Sequence, residues 1–95
     1  MKVSRTDVES NLPKKGFVRN EKGHHIFFHF WNEGKATSVF TKISHTKKHR
    51  DIDCGILSAM RKQLKLDNNK DFVALVECPM SLQQYQEVLK TKKLL

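Results

Sequence analysis

Three of the five histidines of this chain lie inside its most apolar stretch, the run KGHHIFFHFWNEG at residues 22–34. Histidine has an ordinary pKa of about 6.5, so near neutral pH it can either donate or accept a proton. Imidazoles can therefore catalyse proton transfer, but they also ligate metals or simply pack against neighbours. His24, His25 and His29 are the first candidates for chemistry.

The element that must position these histidines is a strand. Residues 25–31 are aromatic and β-prone, and side chains alternate between the two faces of a strand. One face would be purely apolar and would form the core: Ile26, Phe28 and Phe30. The other would alternate imidazoles with aromatic rings: His25, Phe27, His29 and Trp31. Bases stack on such rings, so this second face is a candidate nucleic-acid surface, or else a patch of ordinary cross-strand packing.

A second candidate cluster is the run KISHTKKHR at residues 42–50, which contains no acid and is predicted to be a basic loop. Four of its residues could bind backbone phosphates: Lys42, Lys47, Lys48 and Arg50. The chain has 18 Lys and Arg against 10 Asp and Glu, a net charge of +8. Residues 1–65 hold 14 of these bases and 6 of the acids, and residues 66–95 hold four of each. The excess favours a polyanionic partner for the first part of the chain, or it is only a solvated basic surface.

A metal site is the competing interpretation of the histidines. His45 and His49 are four residues apart, which on a helix would place two ligands on one face. They lie, however, among lysines, whose charge repels a cation. The cysteines Cys54 and Cys78 are isolated, and no CxxC or CxxH unit completes a ligand set. We therefore predict reduced, partly buried thiols, no metal and no other cofactor.

The order of the remaining elements predicts the fold class. A capping box at residues 4–7 begins a helix that Pro13 ends. Three strands are expected at residues 17–19, 25–31 and 35–41, with turns at 20–23 and 32–34. Asp51 or Asp53 would cap the next helix, whose apolar face would comprise Ile56, Leu57, Met60 and Leu64. Two more helices would begin at Asn68 and Ser81.

This order is that of an α+β protein with two layers, in which helices cover one face of a three-stranded antiparallel sheet. The opposite face is left open to solvent or a ligand. Residues 1–66 would form the main domain, and residues 67–95 a C-terminal two-helix extension packed on the same core.

Several short motifs together resemble the HicA family of toxins from bacterial and archaeal toxin–antitoxin pairs. They are KGF at residues 15–17, KGHHIFFH at 22–29, where the family has a G-S-H-H-like motif and an aromatic residue, and SH at 44–45. The last is DI at 51–52 with GILSAMRKQLKL at 55–66, which matches the closing helix. The resemblance covers about the first 65 residues.

This resemblance implies a dsRBD-like α-β-β-β-α fold, that is, one like a double-stranded-RNA-binding domain, which acts as a metal-independent endoribonuclease on mRNA. It also implies inhibition by a HicB-like antitoxin. Because Lys22-Gly23 stands where the family has Gly-Ser, His24 takes the catalytic position, and His25 remains an alternative. His45 is a candidate partner in catalysis. The residues expected to bind RNA are Lys22, His29, Lys42, Lys47, Lys48 and Arg50.

Two other functions fit the same residues. The chain could be a non-catalytic RNA-binding module of this fold. It could also be a protein-interaction domain that docks a partner through Leu82, Tyr85 and Leu89, although these more readily pack on the core. No apolar run is long enough to cross a membrane, and the first ten residues lack a signal-peptide core, so we expect a cytoplasmic protein.

Overall fold

A computed structural model describes residues 3–44, 51–77 and 79–95, with the side chain of residue 51 left out of the description. The strands are β1 (Val3–Ser4), β2 (Phe17–Lys22), β3 (His25–Asn32), β4 (Lys35–Ser44) and β5 (Asp51–Ile52). The helices are α1 (Arg5–Asn11), α2 (Cys54–Gln63), α3 (Asn69–Val76) and α4 (Leu82–Thr91), with a 3₁₀ turn at Pro13–Lys15. Within these ranges, no helix is both long and apolar enough to cross a membrane.

The main sheet has three antiparallel strands in the order β2-β3-β4. The α+β class, the three-stranded antiparallel sheet and the four helices agree with the prediction. A second, two-stranded pairing was not predicted: β1 pairs with β5, with Val3 opposite Ile52. Strands of two residues are too short to show an alternating pattern, so only tertiary pairing reveals them.

Two predicted boundaries are wrong, both because cross-strand pairing extends the strands. Residues 20–22 belong to β2 rather than to a turn, and the turn comprises only Gly23 and His24. Gly23 has φ 63°, as expected of glycine in the first position of a two-residue hairpin turn. Likewise, β4 continues to Ser44, so Lys42 lies in a strand opposite Phe27 and not in a loop. The rest of the predicted basic loop, residues 45–50, lies outside the described residues.

The core lies between the sheet and the helices. Ile26, Phe28 and Phe30 are buried, as their alternation predicted. Phe30 meets the ring of Tyr85 edge-on, with centroids 5.1 Å apart, and Phe17 lies 5.2 Å from Phe30. Aromatic pairs prefer such tilted and edge-to-face arrangements.

The C-terminal helices belong to this same core. Apolar residues from 1–66 and from 67–95 form one buried cluster, in which Tyr85 and Leu89 are fully enclosed. Leu82 packs against the cluster and is partly buried. These residues of α4 therefore pack on the core, as expected, which argues against the alternative that they dock a partner.

The helix starts confirm most of the capping predictions. Asp53 caps α2 by accepting a hydrogen bond from the Ile56 amide at 2.9 Å. Asn68 caps α3, and Ser81 forms a reciprocal capping box with Gln84. The expectations that Ile56 faces the core and that Cys54 is partly buried are wrong, since both side chains are exposed. The buried face of α2 is set by Leu57 and Met60, three residues apart, and Ile56 falls outside that stripe.

Two polar side chains of the N-terminal part hold the C-terminal part in place. The Lys15 side chain is buried, and its ammonium group donates a hydrogen bond to the carbonyl of Met80, between α3 and α4. The Asn11 amide donates to the carbonyl of Val76, at the end of α3, at 2.7 Å. Both bonds join residues 65 positions apart in the sequence.

A buried phenol predicts how stability depends on pH. Tyr85 is fully enclosed, its hydroxyl donates to the Leu64 carbonyl at 2.8 Å, and burial raises the pKa of the phenol far above its ordinary value. The pKa of the phenol is higher in the folded protein than in the unfolded chain, where it is about 10. The contribution of this difference to the free energy of unfolding is therefore fully present below about pH 10, and it is lost progressively above about pH 10, where the phenol of the unfolded chain ionises. Above pH 10, the unfolding free energy of the wild type should fall by about 1.4 kcal/mol per pH unit relative to Tyr85→Phe.

Urea unfolding at a series of pH values measures this slope. The Tyr85→Phe variant is the matched control because it keeps every other titratable group. Tyr85 is the only tyrosine, so ultraviolet absorbance of the phenolate reports its ionisation directly. Parallel pH profiles for the two proteins would contradict the prediction.

Candidate nucleic-acid interface

The face of the sheet opposite the buried core, called the outer face below, includes three cross-strand rows that span all three strands. Directly paired residues in antiparallel strands point to the same side, so the register defines the rows. They are Val18–His29–Phe40, Asn20–Phe27–Lys42 and Lys22–His25–Ser44. Val18 and Phe40 are exposed, and His25, Phe27 and His29 are half-buried. Hydrophobic and aromatic groups therefore remain accessible on this face.

Four rings on the outer face form a connected series, called the ring ladder: His25, Phe27, His29 and Phe40. The centroids of His29 and Phe40 are 5.1 Å apart, with planes inclined by 21°. Phe27 lies 6.2 Å from His29 with planes inclined by 24°, and 6.2 Å from His25 at a steeper 54°. Three members of the predicted aromatic–imidazole row, His25, Phe27 and His29, thus lie in one series, and β4 adds Phe40 to it. The fourth predicted member, Trp31, is exposed and pairs with Ala36 beyond the irregularity between His29 and Trp31.

Phe40 is the member of the ladder that sequence reasoning missed. The sequence places it in the third predicted strand, residues 35–41, but does not show which face of the sheet it lies on. Its position beside His29 follows from the register between β3 and β4. The available signal was the three-residue connection at 32–34, which brings the two strands together but does not give the register by itself.

The charge on the outer face is positive. Lys22 and Lys42 are exposed members of two neighbouring rows, and none of the nine residues in the three described rows is an acid. The alternation of β2 places Arg19 and Glu21 on the opposite side, where Arg19 bridges Glu21 at 2.6 Å and Glu9 of α1 at 3.4 Å. The acids nearest this strand are therefore engaged away from the outer face.

Two of the three predicted catalytic residues lie at one end of the outer face. His24 is exposed in the turn between β2 and β3, and His25 is the first residue of β3. Lys22 is the cross-strand partner of His25. The hairpin thus brings two imidazoles and an ammonium group within four consecutive residues. This arrangement can supply a proton acceptor, a proton donor and a positive charge.

The remaining predicted residues divide into two groups. His29 and Lys42 lie on the outer face, as members of the first and second rows. The others lie outside the described residues: His45, Lys47, Lys48 and Arg50. The chain leaves β4 at Ser44, which is the cross-strand partner of His25.

Arg5 is a contact near this end that the sequence did not predict. Its guanidinium donates a hydrogen bond to the Ser44 carbonyl at 2.5 Å, and so joins the start of α1 to the end of β4. Ser4 is the strand partner of Asp51. Arg5 therefore contacts the end of β4, and Ser4 pairs with the start of β5. These are the two strand ends on either side of residues 45–50. No local pattern reveals a contact between residues 39 positions apart.

The described residues contain no group of three or more His, Cys, Asp or Glu side chains that could hold a metal ion. His45 and His49, the pair considered as metal ligands, lie outside that part of the chain.

Comparisons with known proteins give no relative for this chain. No protein-family model matches it, and neither a curated protein nor a solved structure does. The HicA-like assignment therefore stays a prediction that rests on the motifs at residues 15–17, 22–29, 44–45 and 51–66.

Proposed function

We propose that this protein is a HicA-like endoribonuclease that cleaves mRNA without a metal ion. The observation that supports this most is the placement of His24 and His25 beside Lys22, at the end of an open and positively charged sheet face. The finer assignments belong to the same proposal: a dsRBD-like fold, a cytoplasmic location and a HicB-like antitoxin that covers the active surface.

The proposed reaction uses the RNA's own 2′-hydroxyl as the nucleophile. One imidazole takes the 2′-hydroxyl proton, the oxygen attacks the adjacent phosphorus, and the bond to the 5′-oxygen breaks. A second imidazole gives a proton to that leaving oxygen. His24 is the principal acid or base, and His25 or His45 is its partner. Lys22 would stabilise the negative charge that develops on the phosphorane.

Binding of the substrate would involve the rest of the basic surface. Lys42 and His29 lie on the outer face, and Lys47, Lys48 and Arg50 are assigned to phosphate binding because they belong to the basic run at residues 42–50. Contacts of lysine and arginine with phosphates release counterions, so the affinity should fall steeply as the salt concentration rises.

The direct test is cleavage of an RNA oligonucleotide in the presence of EDTA, compared with a 2′-O-methyl oligonucleotide of the same sequence. We expect cleavage of the RNA into fragments with a cyclic phosphate at one new end and a 5′-hydroxyl at the other. The methylated strand should stay whole because it lacks the nucleophile. Cleavage of both strands, or loss of RNA cleavage in EDTA, would contradict the proposed chemistry.

A non-catalytic RNA-binding module is the second candidate. The ring ladder and the two lysines of the outer face favour it, because these groups can bind RNA without any contribution from His24. In the same experiment, such a protein would shift the mobility of the RNA and leave it whole.

A further inference from the structure

We propose that the ring ladder is a stacking site for unpaired bases, so that the substrate is single-stranded RNA laid along the outer face. The role of this site in cleavage rests on the proposed function, but the binding can be measured independently of it. The occupant is thus an RNA strand with free bases, bound by its rings as well as by its phosphates.

The geometry of the rings suits bases. His29 and Phe40 lie nearly parallel, and Phe27 is inclined to His29 by only 24°. Phe40 is 37% exposed, so part of its surface is open to a ligand. Successive bases stack on side chains of this kind with little regard to sequence, because every base has a π-face.

The same geometry disfavours a duplex. In double-stranded RNA the bases are paired and stacked on each other, and proteins contact the duplex mainly through its minor-groove edges, 2′-hydroxyls and phosphates. Rings that project from the middle of a strand, such as Phe27 and His29, cannot reach the faces of paired bases. Only splayed bases can stack on them.

The distribution of charge favours RNA over a protein partner. Lys22 and Lys42 stand beside the rings in adjacent rows, and the nine residues of the described rows include no acid. A chain of alternating bases and phosphates matches this mixture of rings and ammonium groups. The net charge of +8 strengthens the attraction for any polyanion.

The position of the ladder relates stacking to the site of cleavage. It runs from the His29–Phe40 pair to His25, which adjoins His24 in the turn. Along β3, the four residue steps from His29 to His25 correspond to about 13 Å. Bases stacked at the far end would hold the strand so that a neighbouring phosphate lies near His24 and His25. Cleavage should therefore need unpaired nucleotides on one side of the bond that is cut.

The test uses the full chain and a 2′-O-methyl oligonucleotide, which the proposed enzyme cannot cleave, either alone or annealed to its complement. Trp31 is the only tryptophan and is 42% exposed at the end of β3, so its fluorescence can report binding, together with anisotropy of a labelled strand. We expect the single strand to bind at least about 10-fold more tightly than the duplex.

Three substitutions, all of which leave the charge unchanged, test whether binding needs the aromatic ring of Phe40 or only an apolar side chain. Phe40→Leu keeps an apolar side chain but removes the ring, and should weaken binding of the single strand by about 5- to 100-fold. Phe40→Tyr keeps the ring and should bind the single strand about as tightly as the wild type. Ile56→Ala, which alters an exposed apolar residue of α2, is the control and should bind like the wild type. Circular dichroism checks that each variant is folded, and His29→Gln replaces Phe40→Leu if the latter is not.

Equal affinities for single strand and duplex, or unchanged binding by Phe40→Leu, would overturn the stacking site. These outcomes are distinct from failure of the proposed function. A protein that prefers single strands and depends on Phe40, but leaves unmodified RNA whole, supports the stacking site and refutes the nuclease. A protein that cleaves RNA, but binds equally with or without the Phe40 ring, supports the nuclease and refutes the stacking site.

Discussion

Replacing His24 by alanine should slow RNA cleavage by about 100- to 10,000-fold, the usual contribution of a general acid or base. His24 is exposed in the β2–β3 turn, so its removal leaves no cavity, and the fold should be unaffected. RNA affinity should change by no more than about twofold, because the ring ladder and the lysines of the outer face remain. The measurement is the single-turnover rate at saturating RNA in EDTA, together with the dissociation constant for the 2′-O-methyl strand.

His25 requires a milder substitution, because its ring lies 6.2 Å from Phe27 within the ladder. His25→Asn keeps a planar polar group at the start of β3 and removes the titrating imidazole. If His25 is the partner of His24 in proton transfer, this variant should also lose cleavage by at least about 100-fold. The larger of the two losses identifies the principal acid or base.

His29→Ala is the matched control for both variants, because it removes an imidazole from the same strand four residues beyond His25. It should weaken binding and slow cleavage at saturating RNA far less than His24→Ala does, because His29 transfers no proton in the proposed reaction. Free imidazole added to the His24→Ala protein should partly restore cleavage if the lost function is proton transfer. Wild-type cleavage rates for both His24→Ala and His25→Asn would refute the assignment of catalysis to this turn.

Replacing Gly16 by alanine should lower the free energy of unfolding by about 2–5 kcal/mol, from two independent causes. Gly16 has φ 88°, a left-handed conformation that costs an alanine about 1–2 kcal/mol. A Cβ atom there would also lie 3.0 Å from both Leu82 Cδ1 and Phe30 Cε1. The Phe30 ring is fully buried between its neighbours and cannot move away easily, so overpacking adds about 1–3 kcal/mol.

Gly23→Ala is the control that separates these two causes. Gly23 also has a positive φ, 63°, but no atom other than those of Gly23 and its two chain neighbours lies within 4 Å of the Cβ position. This variant should therefore lose only the conformational part, about 1–2 kcal/mol. Urea unfolding of the two variants beside the wild type gives the difference. Equal losses would mean that Leu82 and Phe30 do not pack closely on Gly16, which would also call into question the packing of α4 on the sheet.

Short-range patterns predicted much of the fold. The alternation of residues 25–31 correctly divided β3 into a buried and an outer side, because the period of a strand is two whatever its neighbours are. The caps at Asn68 and Ser81 were also predicted, since each depends on a hydrogen bond to an amide only three residues away. Both kinds of signal are complete within a few residues of sequence.

Other features depended on contacts between distant residues. The sequence could not show that β4 runs on to Ser44, because that extension is stabilised only by pairing with the start of β3. The helical spacing of Ile56 placed it wrongly in the core, because spacing alone does not determine which of two neighbouring stripes of α2 meets the sheet. The β1–β5 pairing and the Arg5–Ser44 bond join residues about 40 or more positions apart.

The candidate site shows the same division. By itself, the sequence determined which residue types are available: the adjacent histidines, the alternation of rings with imidazoles, and the positive charge of residues 1–65. Only the tertiary structure decided that Phe40 lies against His29, that Lys22 lies opposite His25, and that the acid of β2 faces away. The physical reason is register. The Gly23–His24 turn and the irregularity between His29 and Trp31 set which residues meet across the strands, and neither can be read from a pattern of period two.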